Sequence, residues 1–198
     1  MFSLIYGLID YIFRKDELRI LILGIDGAGK TTLLERLKST YSGAVGLPPD
    51  KIRPTVGLNV GRVEALSSKV IFWDLGGQSG LRTIWDKYYT ETHAVVFVVD
   101  ASNSDRFDEA KNAMEKVLGS RELGGAPLLV LANKQDLNGV CDQDVVAEHF
   151  GVGKIGTTAC RVVPVCALTG EGVRGAVDWL LDAVKRSSRT AVIRNRVS

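Results

Sequence analysis

The chain lacks a basic surplus: Lys and Arg number 25 against 23 Asp and Glu, a formal net charge of +2. A dedicated nucleic-acid binder needs cations to neutralise a phosphate backbone, so no nucleic-acid partner is expected. Cysteine is scarce. Cys141, Cys160 and Cys166 show neither C-x-x-C nor Cys/His metal spacing, which implies reduced thiols in a cytosolic protein. There is no internal repeat and no low-complexity linker. The longest apolar opening, MFSLIYGLIDYIF, is too short to span a bilayer, which takes about 20 apolar residues. It also makes a poor secretory signal, since no basic residue precedes it and no small-x-small site follows.

What remains is a chain of 198 residues, 45% hydrophobic and 24% charged, the size of one domain with a core able to stand alone. On a helical wheel Ser3, Gly7 and Asp10 of the opening share one narrow arc. Phe2, Ile5, Leu8, Ile9, Ile12 and Phe13 cover the rest. This is an amphipathic helix, and by pattern alone it fits a lid packed permanently on its own domain. At the other end, KRSSRTAVIRNRVS carries Lys185, Arg186, Arg189, Arg194 and Arg196 with no acid. It reads as a frayed, solvated end, or as a segment weakly drawn to anionic lipid.

Between these ends the pattern alternates. LRILILG at 18–24 is a buried strand and KTTLLERLKSTY a helix; SGAVGLPPDKIRPTVG, punctuated by Gly and Pro, is a long loop. LNVGRVEAL and SKVIFWDLGG are strands joined at Ser67-Ser68. HAVVFVVD and PLLVLANK are near-continuous apolar runs, as expected of strands covered on both faces. DRFDEAKNAMEKVLGS lies between them as a helix. DQDVVAEHF, a strand RVVPVCAL and a helix GVRGAVDWLLDAVKR follow. The fold class is therefore α/β, a mostly parallel six-stranded sheet with helices on both faces, after an N-terminal amphipathic helix. The boundaries are 1–16 for that helix and its hinge, 17–187 for the nucleotide-binding domain and 188–198 for the tail.

Ligands of such sheets bind at the carboxyl ends of the strands, where the motifs cluster. Gly24, Asp26, Gly27, Ala28, Gly29, Lys30 and Thr31, followed by Thr32, fit G-x-x-x-x-G-K-[ST] between a strand and a helix. Backbone N–H groups of such a loop turn inward on phosphate oxygens, aided by the helix N-terminus. Lys30 would neutralise the β- and γ-phosphates, and the Thr31 hydroxyl would ligate Mg²⁺. A glycine-rich turn could match by accident, but not with strand and helix both in register.

The base is read by Asn133-Lys134-Gln135-Asp136. A carboxylate at Asp136 can accept both N1–H and the exocyclic amine of guanine, a donor pair adenine lacks. Enclosed without a partner it would be costly, so adenine is rejected. Lys134 can lay its stem along the base, and Asn133 can hold this loop to the phosphate loop. In WDLGGQ, Asp74 would hold Mg²⁺ through a water, the Gly77 N–H could meet a γ-phosphate, and Gln78 could orient the attacking water. Thr55, in Pro54-Thr55-Val56-Gly57, could reach the metal only when γ-phosphate is present. The site thus takes GTP and GDP with Mg²⁺.

With these residues assembled, the chain resembles a small GTPase of the ADP-ribosylation factor (Arf) family over nearly its whole length. WDLGGQ, the run Trp85 to Tyr88-Tyr89 and the N-terminal helix are narrower marks than a general GTPase pattern. The resemblance places Cys166, Ala167 and Leu168 in the guanine-backing loop, with the Ala167 N–H on guanine O6. It makes Leu58, Trp73 and Tyr88 a trio that effectors touch. It further implies a monomer that meets an exchange factor, a GTPase-activating protein and effectors through its switch regions. Departures matter too. Phe2 stands where Arf has a myristoylated glycine, so that route is closed. Leu58 replaces a Phe, and the loop before Thr55 is lengthened by Pro48-Pro49-Asp50.

Met followed by a bulky residue, the GLN after PTV and WDKYY are similar to the Arf-related protein branch. That branch implies a cytoplasmic protein cycling to trans-Golgi membranes upstream of another Arf-like GTPase, held by an acetylated Met1 and a membrane-protein receptor. Family behaviour also reconciles the two readings of the first helix. The segment from about Leu58 to Trp73 shifts register with GTP and ejects the helix, so that Phe2, Ile5 and Ile9 meet the membrane. Arg53 is the only candidate for an internal arginine finger, and without one hydrolysis is slow. An Arf-like protein that releases lipidated cargo without stable docking is the alternative. A P-loop kinase or ATPase is opposed by Asp136, and a nucleotide-locked scaffold by the presence of Lys30, Thr31, Thr55, Asp74 and Gln78.

Overall fold

The structure is a computed structural model that describes residues 17–156 and 159–197. The amphipathic helix expected over the opening residues lies outside that range. β1 (Glu17–Leu23) is the middle of the molecule, and its side chains alternate between two cores. Leu18, Ile20 and Ile22 enter one, Leu21 and Leu23 the other. Burial on both faces is what an apolar run of this kind requires.

Around β1 the sheet has six strands in the order β2-β3-β1-β4-β5-β6. β2 (Leu58–Ala65) and β3 (Ser68–Leu75) form an antiparallel hairpin. β4 (Ala94–Asp100), β5 (Leu128–Asn133) and β6 (Cys160–Pro164) continue the sheet in parallel from the other side of β1. The hairpin turn falls at Leu66 and Ser67, both left-handed with φ of 46° and 62°. Two successive positive φ values match the right-handed twist of the flanking strands, which ordinary turns would splay.

Helix α1 (Lys30–Ser42) and α4 (Val173–Arg186) cover one face of the sheet. Leu33, Leu34 and Leu37 of α1 meet Val177, Leu180, Leu181 and Val184 of α4 over Ile20, Phe72 and Val96. α2 (Phe107–Leu118), α3 (Gln143–His149) and a 3-10 segment, Ser79–Glu91, cover the other face. Trp85, Tyr89, Phe107, Met114, Val146 and Phe150 build that second core. Short caps set the ends: Asp142 accepts N–H bonds from Asp144 (3.0 Å) and Val145 (2.9 Å) to start α3. The long punctuated loop contains one 3-10 turn, Pro49–Lys51, and its Leu47 N–H is tied to Glu35 Oε2 on α1 at 3.0 Å.

The tail corrects an expectation. In place of a frayed end, Ser188–Val197 is a helix, α5, with Ile193 buried. Arg189, 5% exposed, donates to the carbonyls of Tyr89 (2.6 Å), Thr90 (3.2 Å) and Thr92 (3.0 Å). The end of a 3-10 or α-helical segment leaves carbonyls without intrahelical partners, and a guanidinium fork can serve several together. Charge without nearby acid in the sequence misled because the acceptors are backbone oxygens about 100 residues away.

Candidate functional site

β1 runs straight into the phosphate loop. Gly24 has φ of 142°, and a Cβ there would lie 2.3 Å from Val98 O of β4, so only glycine fits. Gly29, at φ 96°, precedes α1 with no side chain capping the first turn. Those first amides are therefore free to meet phosphate oxygens. Ala28 is buried, Asp26 and Gly27 face outward or partly so, and Thr32 is half-buried in the first turn. Lys30 lies 6% exposed and donates to Ile25 O at 2.9 Å. Burial brings its ammonium down to about 8, opposed by the nearby Asp74 carboxylate. Gly77 closes the loop from the side: a Cβ there would stand 2.4 Å from Lys30 Nζ and 2.5 Å from Gly24 O.

Next to Lys30 three oxygens converge. Thr31 Oγ1 donates to Asp74 Oδ2 at 2.8 Å and lies 2.8 Å from Thr55 Oγ1, which is 3.3 Å from the same carboxylate oxygen. Asn59 Nδ2 donates to that oxygen as well, at 3.3 Å, a contribution the sequence did not suggest. Asp74 is fully buried, and burial pushes its carboxyl up against the pull of Thr31 and Lys30. Its Oδ1 has no hydrogen-bond partner. A buried orphan oxygen beside two hydroxyls is what a hard divalent cation would satisfy, and one carboxylate plus hydroxyls suits Mg²⁺ better than Ca²⁺. The residues fit the metal. Among the described residues no group of His, Cys, Asp or Glu offers another metal site.

At the base side Asn133 is 2% exposed and holds two loops together. Its Nδ2 donates to Ala28 O at 2.8 Å, and its Oδ1 accepts the Ala167 N–H at 2.9 Å. The family resemblance gives this N–H to guanine O6; in the structure it donates to Asn133. Lys134 takes a left-handed φ of 71°, a strained position for a non-glycine residue, and pairs with Asp100 Oδ2 at 2.6 Å. Asp136 is exposed and accepts from the buried Cys166 thiol at 3.1 Å. Leu168 is 43% exposed, with its carbonyl held by Arg36. Cys166, Asp100 and Arg36 acquire these roles only through folding.

Gln78 is exposed and caps the 3-10 segment, whose Trp85 Nε1 donates to Gly76 O at 3.0 Å. Trp73 and Tyr88 touch edge to face with centroids 5.3 Å apart, both half-buried, while Leu58 is 37% exposed. They are neither core nor loose. Arg53 is exposed on the loop before Thr55. Phe2, Ile5 and Ile9 lie outside the described residues. Sequence inspection also missed three charged side chains, Arg82, Arg106 and Glu109, that join Asp26 of the phosphate loop to the 3-10 segment and α2.

A phosphate loop, an aspartate-centred oxygen cluster and an N-K-x-D loop at the carboxyl edge of a mainly parallel sheet define a P-loop small GTPase. The model of the ADP-ribosylation factor family matches residues 5–184, and the chain belongs to that family. ADP-ribosylation factor-related protein 1 of Rattus norvegicus is 45% identical over 94% of this chain and 94% of its own length. ADP-ribosylation factor-like protein 3 of Saccharomyces cerevisiae is 41% identical, covering 96% of this chain and 97% of that protein. Among solved structures, the Arl6 BBS3 small GTPase from Trypanosoma brucei with bound nucleotide analogue GppNp superposes with a TM-score of 0.75. It shares 28% identity over 87% of this chain and 99% of that one. The chain is thus a GTP hydrolase and a GTP-binding switch, and the likeness to Arf-related proteins agrees with the branch read from its motifs. No helix among the described residues is long and apolar enough to cross a membrane.

Proposed function

We propose that this GTPase is a switch recruited to trans-Golgi membranes in its GTP state, where it controls vesicle trafficking by recruiting downstream Arf-like GTPases and effectors. In this reading Lys30 and the phosphate-loop amides bind the β- and γ-phosphates, Thr31 and Thr55 ligate Mg²⁺, and Asp74 holds it through water. When bound, Mg²⁺ neutralises charge on the β- and γ-phosphates. Asp136 reads guanine, Asn133 braces the loops, and Gln78 orients the attacking water. Arg53 supplies no finger, so hydrolysis is slow until an activating protein contributes one.

The observation that carries the reading is the meeting of Thr55 with Thr31 at Asp74 Oδ2, the other oxygen of that carboxylate being unpartnered. Thr55 closes a long loop, and the Gly57 carbonyl accepts the Gly76 N–H at 3.0 Å, joining the loop to the segment before Gln78. A γ-phosphate would therefore act on both sides of one continuous element, which is the physical basis of a two-state switch. The likeness to ADP-ribosylation factor-related protein 1 supports the Arf-related branch from which the Golgi reading is drawn.

The test is co-sedimentation with Golgi membranes and with liposomes in GDP and in GTPγS, with and without residues 1–13. GTPγS-dependent recovery that requires the opening segment, and Phe2, Ile5 and Ile9 within it, is the expected result. A receptor predicts recovery on Golgi membranes beyond that on protein-free liposomes. Unchanged recovery after the deletion would make the opening helix only a packed lid.

A further inference from the structure

We propose that Arg82 and Glu109 are positioning residues for GTP hydrolysis, the middle links of a side-chain relay that sets the Gly77–Gln78 peptide against the phosphate loop. This rests on the water-orienting role given to Gln78. The relay begins at Arg82, whose Nε donates to Gly77 O at 2.7 Å. That carbonyl belongs to the peptide joining Gly77 to Gln78. A peptide is planar, so fixing its oxygen also fixes the direction in which Gln78 leaves it. The other arm of the guanidinium bonds Glu109 Oε1 at 2.5 Å. Glu109 Oε2 accepts from Arg106 Nε and Nη2 at 2.9 and 2.7 Å. Arg106 then reaches the phosphate loop, donating to Asp26 Oδ1 at 2.9 Å and to Asp26 O at 3.0 Å.

The two ends of this relay are the two walls of the γ-phosphate site. Its middle is anchored on a rigid element, since Arg106 and Glu109 adjoin the buried Phe107 and Ala110 in sequence. The relay also turns the Asp26 carboxylate towards Arg106 and α2, so that its charge is neutralised beside a site built for a triphosphate. Arg106 accordingly holds the Asp26 carboxyl below the usual carboxylate range, and Arg82 does the same for Glu109. Solvent limits what these bonds do for stability. The side chains of Arg106, Glu109 and Asp26 are 34%, 40% and 47% exposed. Ion pairs so wetted add little to folding, and for Arg82, whose side chain is 18% exposed, the exchange of β5 amides reports whether the fold is kept. Arg82 is committed to Gly77 and Glu109 and therefore acts through the Gln78 peptide, not on phosphate directly.

The test uses the full chain loaded with GTP and Mg²⁺, followed through single-turnover hydrolysis. Arg82→Ala and Glu109→Ala should each slow hydrolysis by about tenfold or more, since small misplacements of reacting groups carry large rate penalties. GDP and GTP affinities should stay within about twofold, because both side chains are held by protein partners. Arg82→Lys and Glu109→Gln, which keep part of the bonding, should fall between. In a Gln78→Leu background Arg82→Ala should slow hydrolysis no further, as two residues acting through one step are not additive. A second readout is amide exchange over residues 76–81 in the GTPγS form, faster in Arg82→Ala and unchanged in β5. Wild-type hydrolysis in Arg82→Ala beside a slow Gln78→Leu overturns the relay, as does additive slowing or unchanged exchange. Wild-type hydrolysis in Gln78→Leu instead removes the role given to Gln78.

Discussion

In the proposed function Asp136 and Lys30 divide recognition of the nucleotide between base and phosphate. Asp136 is exposed, and among the described residues its side chain accepts from the Cys166 thiol. A weak thiol donor is easily displaced by the two N–H groups of guanine, so specificity resides in the carboxylate. Asp136→Asn should lower GDP affinity by about 10²-fold or more and admit xanthosine diphosphate, whose C2 oxygen complements an amide donor. Displacement of labelled GDP by each nucleotide measures it, and an unchanged order of preference would refute the assignment.

Lys30 differs because its charge is already costly. Its amine titrates near 8 when folded against 10.5 otherwise. Between those values the unfolded chain holds more protons, so nucleotide-free stability should rise with pH through that window. Bound phosphate restores the ammonium. GDP affinity should consequently fall by up to about tenfold from pH 8 to pH 9, and Lys30→Arg should flatten the slope. Titration calorimetry in buffers of different ionisation heat would show the accompanying proton uptake, whose absence would contradict the shift.

At the scale of elements, α5 has a function its sequence does not advertise. Arg189 joins this last helix to the carbonyls that end the 3-10 segment carrying Trp85 and Tyr88. Arg189→Ala leaves buried carbonyls without a donor and should cost about 1–3 kcal/mol. A lowered denaturant midpoint at constant m-value is the expected result, with hydrolysis unaffected; an unchanged midpoint would return the tail to the solvated role its composition suggested. The surface proposed above for effectors draws its Tyr88 from the same element. Tyr88 packs edge to face on Trp73 at a half-exposed position. Tyr88→Ala should abolish capture of GTP-dependent binding partners while leaving GTP affinity within about twofold, as a surface anchor does and a core residue does not. Equal loss of both would make it structural.

For the whole molecule, the relevant quantity is the free-energy difference between two arrangements of the hairpin β2–β3 and the loops it joins. The structure holds Leu58 opposite Leu75 and Val60 opposite Trp73 across that hairpin, with Thr55 drawn to Asp74. A strand register is set by which side chains face the core, so changing it requires a shift of two residues or a reversal of faces. A change of register in this hairpin would therefore be stepwise and not continuous. If the opening helix competes for the same space, its removal should favour the triphosphate arrangement in solution. Thr55 contacts and membrane recovery would then part company: deletion of residues 1–13 abolishes recovery while GTPγS affinity is kept or raised.

The sequence by itself determined the sheet, its two-faced burial and the nucleotide chemistry. These depend on short periodicities and on motifs whose residues are adjacent in the chain: Gly24 to Thr31, Asp74 to Gln78 and Asn133 to Asp136. Local spacing fixes local geometry, so such signals survive without coordinates. Only the tertiary structure decided which distant groups complete them. Asn59 on Asp74, Asp100 on Lys134, Arg106 on Asp26 and Arg189 on Tyr89 are pairings separated by up to 100 residues. No periodicity encodes them, because a charged side chain looks equally solvated in sequence whether its partner is water or a carbonyl brought close by the fold. Arg189 of the basic tail became a buried cap for that reason, and Arg82 became tied to the peptide of Gln78.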